Sequence, residues 1–442
     1  MNSCLENYRI DMNEIDKNTI LNYWMEFFPG KTKENISKLT EKISNKRMED
    51  FFERYEEENK TLEQIITLFS DIKKNENTNV IDDICEEIYK ENRWVYFFIP
   101  ILYKRIGTLI EKINLSVIIG DKEMLLLSIL TNIADKLAGQ SYRVLTNALN
   151  IASEENVLIG NDSKARGKYF CGELLKDMDY VKGVYLSYPE LYKTMDRTVV
   201  YNINYVIEII ENTEKEFESI KKKFGKNKKL GRLCKICLGT GDSHNNGRTV
   251  AGLIFDDEQK LMYKPRSLKM EDSYCKLIDW INQNISNTTG LSYCRIHEVK
   301  NAGWVEFVEN EPCSTKEEVR QFYEKMGELL CVLYTLNAKD FHCENIIAKG
   351  NQPMLIDMET LIHVDEIEKM REYDSVEEKI GEYIQHSVYS TALLPTVLTN
   401  YNTEECMEVG GIGSARKRIS PFRTQVLEKC LSLWKIWRII CF

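Results

Sequence analysis

The stretch DFHCENIIAKGNQPMLIDME, residues 340–359, combines reactive side chains with a short strand pattern. Asp340, His342 and Asn345 come first, and the apolar segments IIAKG and MLID then flank a polar turn. Two short apolar segments on either side of a turn predict a β-hairpin. The stretch therefore predicts a polar loop followed by a hairpin that ends at the carboxylate of Asp357.

This order of residues suits phosphoryl transfer, which needs a group near the attacking hydroxyl and oxygen ligands for Mg²⁺. Protein kinases space the Asp and Asn of their catalytic loop as Asp340 and Asn345 are spaced here, and the metal-binding Asp lies on the next hairpin. The histidine two residues after the Asp resembles the phosphoinositide-kinase form of the loop, in which His342 would face the transferred phosphate. Because Mg²⁺ keeps several of its waters, Asn345 and Asp357 suffice as ligands.

Two more hairpins are predicted upstream of this loop. TVAGLIF (249–255) and LMYKP (261–265) flank the polar turn DDEQK, and CRIHEV and GWVEFVEN form a second pair of apolar segments. Lys264 lies on the second strand of the first hairpin. A kinase needs a lysine on such a strand to hold the phosphates of ATP, so Lys264 is the candidate for that role.

Helices are predicted on both sides of these strands. Before them, apolar residues at i, i+4, i+7, i+8 and i+11 mark one face of a long helix, namely Val199, Ile203, Val206, Ile207 and Ile210. After them, Ser314 and Glu317 have the spacing of a capping box that opens a helix through Phe322, Met326, Leu330 and Leu333.

These patterns predict an α+β fold with three regions: a helical region (1–225), an N-lobe with the first two hairpins (226–312) and a partial C-lobe with the catalytic loop (313–442). The chain of 442 residues carries a formal charge of -10, which argues against a generic nucleic-acid binder. No segment approaches the roughly 18 apolar residues of a spanning helix. The first residues lack the basic and apolar pattern of a signal peptide, so a cytoplasmic location is expected.

Two long motifs carry a resemblance more specific than a kinase. GDSHNNGRTVAGLIFDDEQKLMYKPRSL (241–268) and DFHCENIIAKGNQPMLIDMETL (340–361) together resemble the dehydratase domain of class II (LanM-type) lanthipeptide synthetases. The helical stretch with YPELYKTM also fits the N-terminal half of that family.

The resemblance implies a lipid-kinase-like, two-lobed core that phosphorylates Ser and Thr of a ribosomally made precursor peptide with ATP and Mg²⁺, then eliminates phosphate to leave dehydroamino acids. It implies the following site residues: Asp242 and His244 from the GDxH motif, Lys264 for the ATP phosphates, Asp340 and His342 in catalysis, and Asn345, Asp357 and Glu359 at the metal. The partner would be a precursor with a leader and a core rich in Ser, Thr and Cys.

The sequence also departs from the family pattern. Only 83 residues follow Glu359, and neither elimination residues nor the zinc ligands of a cyclase domain can be matched. We therefore expect a truncated chain with an incomplete C-lobe, and cyclisation by a separate protein. Two alternatives stay open at this point: a small-molecule or lipid kinase, and an inactive remnant that binds the precursor peptide.

Overall fold

The computed structural model describes residues 32, 34–35, 38, 48–72, 79–227, 229–239, 247–364, 375–395, 397–400 and 405–412. It is rich in helices and contains antiparallel sheets, so the predicted α+β class is confirmed. The chain divides into two compact units. The helical unit comprises residues 1–114 and 130–207, and the sheet unit comprises residues 115–129 and 208–442.

Helices form the first half of the described chain. They are α1 (Met48–Ile72), α2 (Asn79–Tyr89), α3 (Val95–Arg105), α4 (Gly107–Leu115), α5 (Lys122–Glu154), α6 (Ser163–Gly172), a short 3₁₀ turn (Leu174–Lys176), α7 (Met178–Ser187) and α8 (Pro189–Phe224). The predicted long helix is α8. Four of its five marked residues are buried and Ile207 is half-buried, because residues at these spacings lie along one side of a helix.

A five-stranded antiparallel sheet follows, with the strand order β1-β2-β3-β5-β4. The strands are β1 (Leu233–Cys237), β2 (Ala251–Phe255), β3 (Lys260–Lys264), β4 (Ile296–Val299) and β5 (Ala302–Glu306), and helix α9 (Lys269–Asn284) connects β3 to β4. Both predicted hairpins are confirmed: β2 pairs with β3, and β4 pairs with β5.

The chain then continues through α10 (Lys316–Thr335), the hairpin of β6 (Ile346–Lys349) and β7 (Gln352–Leu355), α11 (Val376–Gln385), a 3₁₀ turn (Val388–Thr391) and the hairpin of β8 (Val397–Asn400) and β9 (Glu405–Glu408). The predicted hairpin after Asn345 is therefore present, with Ile346 opposite Leu355. One hydrophobic core joins α9, α10 and β7 through residues such as Ile278, Leu329 and Leu355.

The predicted capping box of α10 is wrong by one residue. The helix begins after Thr315, whose hydroxyl accepts a hydrogen bond from the backbone N–H of Glu318, while the Glu318 carboxylate accepts from the backbone of Thr315. Ser314 and Thr315 are both suitable caps, and Glu317 and Glu318 are both suitable partners. The extended backbone at Thr315 (φ −130°, ψ 158°) places the cap there.

Among the helices in the described part of the chain, none combines the length and the apolar composition that a bilayer-crossing segment requires.

Candidate active site

Lys264 is the last residue of β3, and its ammonium group is buried within the sheet unit. Nζ lies 3.3 Å from Oε1 of Glu271 and donates a hydrogen bond to the carbonyl oxygen of Ile356 at 2.7 Å. Only 5% of the Lys264 side chain is exposed. A buried ammonium group is costly unless it is paired and hydrogen-bonded, and these two partners meet both conditions.

Glu271 was missed in the sequence analysis. It lies in the first turn of α9, and it is buried with Tyr274 and Ile278 on one face of that helix. Residues at i, i+3 and i+7 share a helix face, so the sequence does contain a signal: an acidic residue on an apolar stripe. A carboxylate is rarely buried without a partner, and here the partners are Lys264 and Arg266.

Arg266 was also missed, although it lies within the quoted YKPRS motif. Its guanidinium group contacts three carboxylates at once. Nη1 and Nη2 lie 3.1 and 2.9 Å from the two oxygens of Glu271, Nη2 lies 3.3 Å from Oδ1 of Asp357, and Nε lies 2.8 Å from Oε1 of Glu359. One arginine therefore joins α9 to the two acidic residues that follow β7.

The predicted catalytic loop forms a set of local hydrogen bonds. Asn345 donates from Nδ2 to the backbone oxygen of Asp340 at 2.7 Å, which leaves its Oδ1 as the atom that can bind a cation. The Glu344 N–H donates to Nδ1 of His342 at 3.2 Å, so in the neutral ring the proton is on Nε2. That Nε2 lies 3.4 Å from Oδ1 of Asp340. The loop thus places the three predicted side chains close together.

The backbone of Ile356 links this loop to Lys264. Its carbonyl oxygen accepts from Lys264, and its N–H donates to the carbonyl oxygen of Asn345 at 3.1 Å. Asp357 is the next residue along the chain. The backbone of Ile356 therefore connects the predicted phosphate-binding lysine to the two residues, Asn345 and Asp357, that are predicted to bind the metal.

Hydrogen bonds to two other segments of the chain also fix the position of the loop. Phe341 is 1% exposed and its N–H donates to the carbonyl oxygen of Thr391 at 2.8 Å. The Lys339 N–H donates to the carbonyl oxygen of Thr360 at 3.1 Å, and the Thr360 hydroxyl donates to the carbonyl oxygen of Lys339 at 2.6 Å. Asp340 itself has a φ of 66°, in the left-handed region. These contacts fix the loop against segments on both of its sides.

Asp242 and His244 lie outside the residues that the structure describes, so their roles stay predictions. The structure does describe the residues on either side of them. The Gly239 N–H donates to the Thr249 hydroxyl at 2.8 Å, and Arg248 pairs with Glu208 of α8.

The residues present fit a magnesium ion. Hard divalent cations prefer oxygen ligands from carboxylates and amides, and Asn345, Asp357 and Glu359 offer these. Across the described ranges, no group of three His, Cys, Asp or Glu side chains is arranged to hold a metal. The predicted site differs from such a group because one of its three ligands is an amide.

Comparison with known proteins agrees with the resemblance. Residues 188–431 match a family described as "Domain of unknown function (DUF4135)", and the match covers more than half of the chain. The chain belongs to this family. The DUF4135 domain occurs in LanM-type synthetases, so the resemblance to class II lanthipeptide synthetases is confirmed.

The DUF4135 chain is also similar to a curated protein, the lacticin 481/lactococcin biosynthesis protein LcnDR2 of Lactococcus lactis subsp. lactis. The two are 28% identical over an alignment of 296 residues, and the match covers 64% of this chain and 32% of that protein. The chain thus matches about a third of the length of its relative.

Proposed function

We propose that this DUF4135 chain is a dehydratase module of lantibiotic biosynthesis, which phosphorylates Ser and Thr of a precursor peptide and then eliminates the phosphate. The observation that carries the proposal is the buried pair of Lys264 and Glu271, whose lysine is hydrogen-bonded to Ile356, the residue that also contacts the backbone of Asn345 and directly precedes Asp357. A strand lysine paired with a helix glutamate, beside a metal-binding aspartate, is the arrangement that active protein kinases require.

The kinase step follows from these groups. Lys264 and Glu271 form a pair that fixes the ammonium group where it can hold the phosphates of ATP. Asp340 orients the substrate hydroxyl and accepts its proton, while the hydroxyl oxygen forms a new bond to the γ-phosphorus of ATP and the bond from that phosphorus to the oxygen of ADP breaks. His342 stabilises the charge of the phosphoryl group in transfer.

Mg²⁺ would be held by Asn345, Asp357 and Glu359, and when bound it would neutralise the charge that develops on the phosphate oxygens. In the proposed architecture the sheet region 226–312 is the N-lobe and the region 313–442 belongs to the C-lobe of a lipid-kinase-like core.

The elimination step needs different chemistry. A base removes the proton from Cα of the phosphorylated residue, the Cα–Cβ double bond forms, and the Cβ–O bond breaks as phosphate leaves. Phosphate is a far better leaving group than hydroxide, which explains why phosphorylation precedes the loss. The cations of the same site, Lys264 among them, can stabilise the departing phosphate.

Mass spectrometry of a Ser/Thr-rich lantibiotic precursor, incubated with the chain, ATP and Mg²⁺, tests the proposal. A gain of phosphate followed by loss of phosphoric acid supports both steps. Phosphate gain alone supports only the kinase step, and phosphate transfer to a lipid or small molecule instead of the peptide would replace the proposed substrate. No transfer by a folded chain that binds the peptide would make it a precursor-binding remnant.

A further inference from the structure

The candidate site contains an imbalance of charge that the proposed reaction does not explain. Three carboxylates, those of Glu271, Asp357 and Glu359, face two basic side chains, Lys264 and Arg266. Lys264 pairs with Glu271, and Arg266 is a cation that pairs with both Asp357 and Glu359.

The three contacts of Arg266 differ in strength. Its pairing with Glu271 is bidentate, and only 3% of the Glu271 side chain is exposed. Its contacts with Asp357 and Glu359 use one oxygen each, and those side chains are 43% and 39% exposed. Bidentate, desolvated ion pairs are stronger than single contacts at the surface. The contacts of Arg266 with Asp357 and Glu359, its two outer contacts, are therefore the ones that break at the lowest cost in free energy.

We infer that Arg266 is an internal counter-cation that competes with the divalent metal for Asp357 and Glu359. This inference rests on the proposed function, since it assumes that these carboxylates are metal ligands. When the metal binds, Arg266 keeps its bidentate pair with Glu271 and loses the outer contacts. Arg266 is thus a positioning residue: before metal binding it holds the two carboxylates at the site, and it weakens their affinity for the free metal.

Binding of Mn²⁺, followed by electron paramagnetic resonance of the full chain without nucleotide, tests this inference. Arg266→Gln should bind Mn²⁺ about tenfold more tightly than the wild type. An adjacent positive charge typically changes the affinity of a carboxylate for a competing cation by about tenfold or more, and this variant removes that charge. Arg320→Gln is the matched control. Arg320 also pairs with two glutamates, Glu317 and Glu324, but on the exposed surface of α10, and its loss should leave Mn²⁺ affinity unchanged.

A third variant separates this inference from the proposed function. Asp357→Asn should weaken Mn²⁺ binding. If it does, and Arg266→Gln binds Mn²⁺ no more tightly than the wild type, Asp357 is supported as a metal ligand and the inference that Arg266 competes with the metal is wrong. If Asp357→Asn leaves Mn²⁺ binding unchanged, the metal site fails and the inference fails with it.

Should Arg266→Gln not fold, as judged by circular dichroism, Arg266→Lys still decides the question. Lysine keeps a cation beside the buried Glu271, but it lacks the planar guanidinium group with which arginine contacts three carboxylates at once. Its Mn²⁺ affinity should exceed that of the wild type, and an affinity equal to or below the wild type would overturn the inference.

Discussion

Two arginines, one in each unit, bind carboxylates in different ways. In the helical unit Arg105 forms a bidentate pair with Asp196 of α8, at 2.8 and 2.6 Å, so each carboxylate oxygen has its own N–H donor. In the sheet unit the three guanidinium nitrogens of Arg266 contact three different carboxylates, those of Glu359, Glu271 and Asp357. In the first pair both oxygens of one carboxylate are bound by one guanidinium group, whereas in the second cluster one guanidinium group is shared by three carboxylates.

This difference distinguishes an ion pair that only stabilises the fold from a cluster that can bind a cation. A complete pair has little to gain from a ligand, because both partners are already satisfied. A cluster with more carboxylates than cations gains stability when a cation binds. Substitutions in the two regions should therefore affect different measurements, and the predictions below are arranged from the largest effect to the smallest.

The largest effect is expected for Lys264→Ala, which should lower phosphate transfer to the precursor by about 10²-fold or more, since it removes a cation from the phosphates in the transition state. Phosphopeptide formation measured by mass spectrometry checks this. Lys260→Ala is the control, because Lys260 lies on the same strand but pairs with Glu309 near the surface. Transfer at the wild-type rate by the Lys264 variant would remove this residue from the site.

The next largest effect concerns the acidic side of the same cluster. Asp357→Asn should weaken Mg²⁺-dependent binding of a non-hydrolysable ATP analogue by about tenfold, because a neutral amide holds the cation less well against its water. Calorimetry with and without Mg²⁺ measures the difference. Asp272→Asn, at an exposed ion pair with Lys276 on α9, should behave as the wild type. Equal affinity of the wild type in both conditions would contradict the metal site.

In the helical unit Asp196→Asn should leave phosphate transfer unchanged and should lower stability by about 1 kcal/mol, which is typical of a partly exposed ion pair. Urea denaturation gives the loss of stability, and the transfer assay gives the activity. A fall in transfer as large as that of Lys264→Ala would erase the distinction between the two arginines.

The smallest effect uses one buried thiol in each unit. Burial raises the pKa of Cys85 in the helical unit, and of Cys294 in the sheet unit, to about 12. Raising the pH from 7 to 9 should therefore leave both unmodified by iodoacetamide, since the thiolate is the reactive form, while the exposed Cys331 reacts. Peptide mapping reads all three. In Asp196→Asn the labelling of Cys85 should increase more than that of Cys294.

The sequence predicts the parts of the sheet unit that depend on local pattern. Short apolar segments around polar turns define the hairpins, and the spacing of Asp340 and Asn345 defines the loop. The capping box was displaced by one residue because two adjacent residues suit each of its positions. Local pattern could not predict the contacts of Arg266, whose partners Asp357 and Glu359 lie 91 and 93 residues further along the chain.

The left-handed backbone of Asp340 restricts which substitutions are informative at that position. Asparagine and aspartate tolerate a positive φ better than other side chains, and alanine in that conformation costs roughly 1 kcal/mol. Asp340→Ala would therefore remove the carboxylate and strain the loop together, and its loss of activity could not be attributed to either. Asp340→Asn keeps the favoured conformation and changes only the charge, so it is the substitution that isolates the chemistry of this side chain.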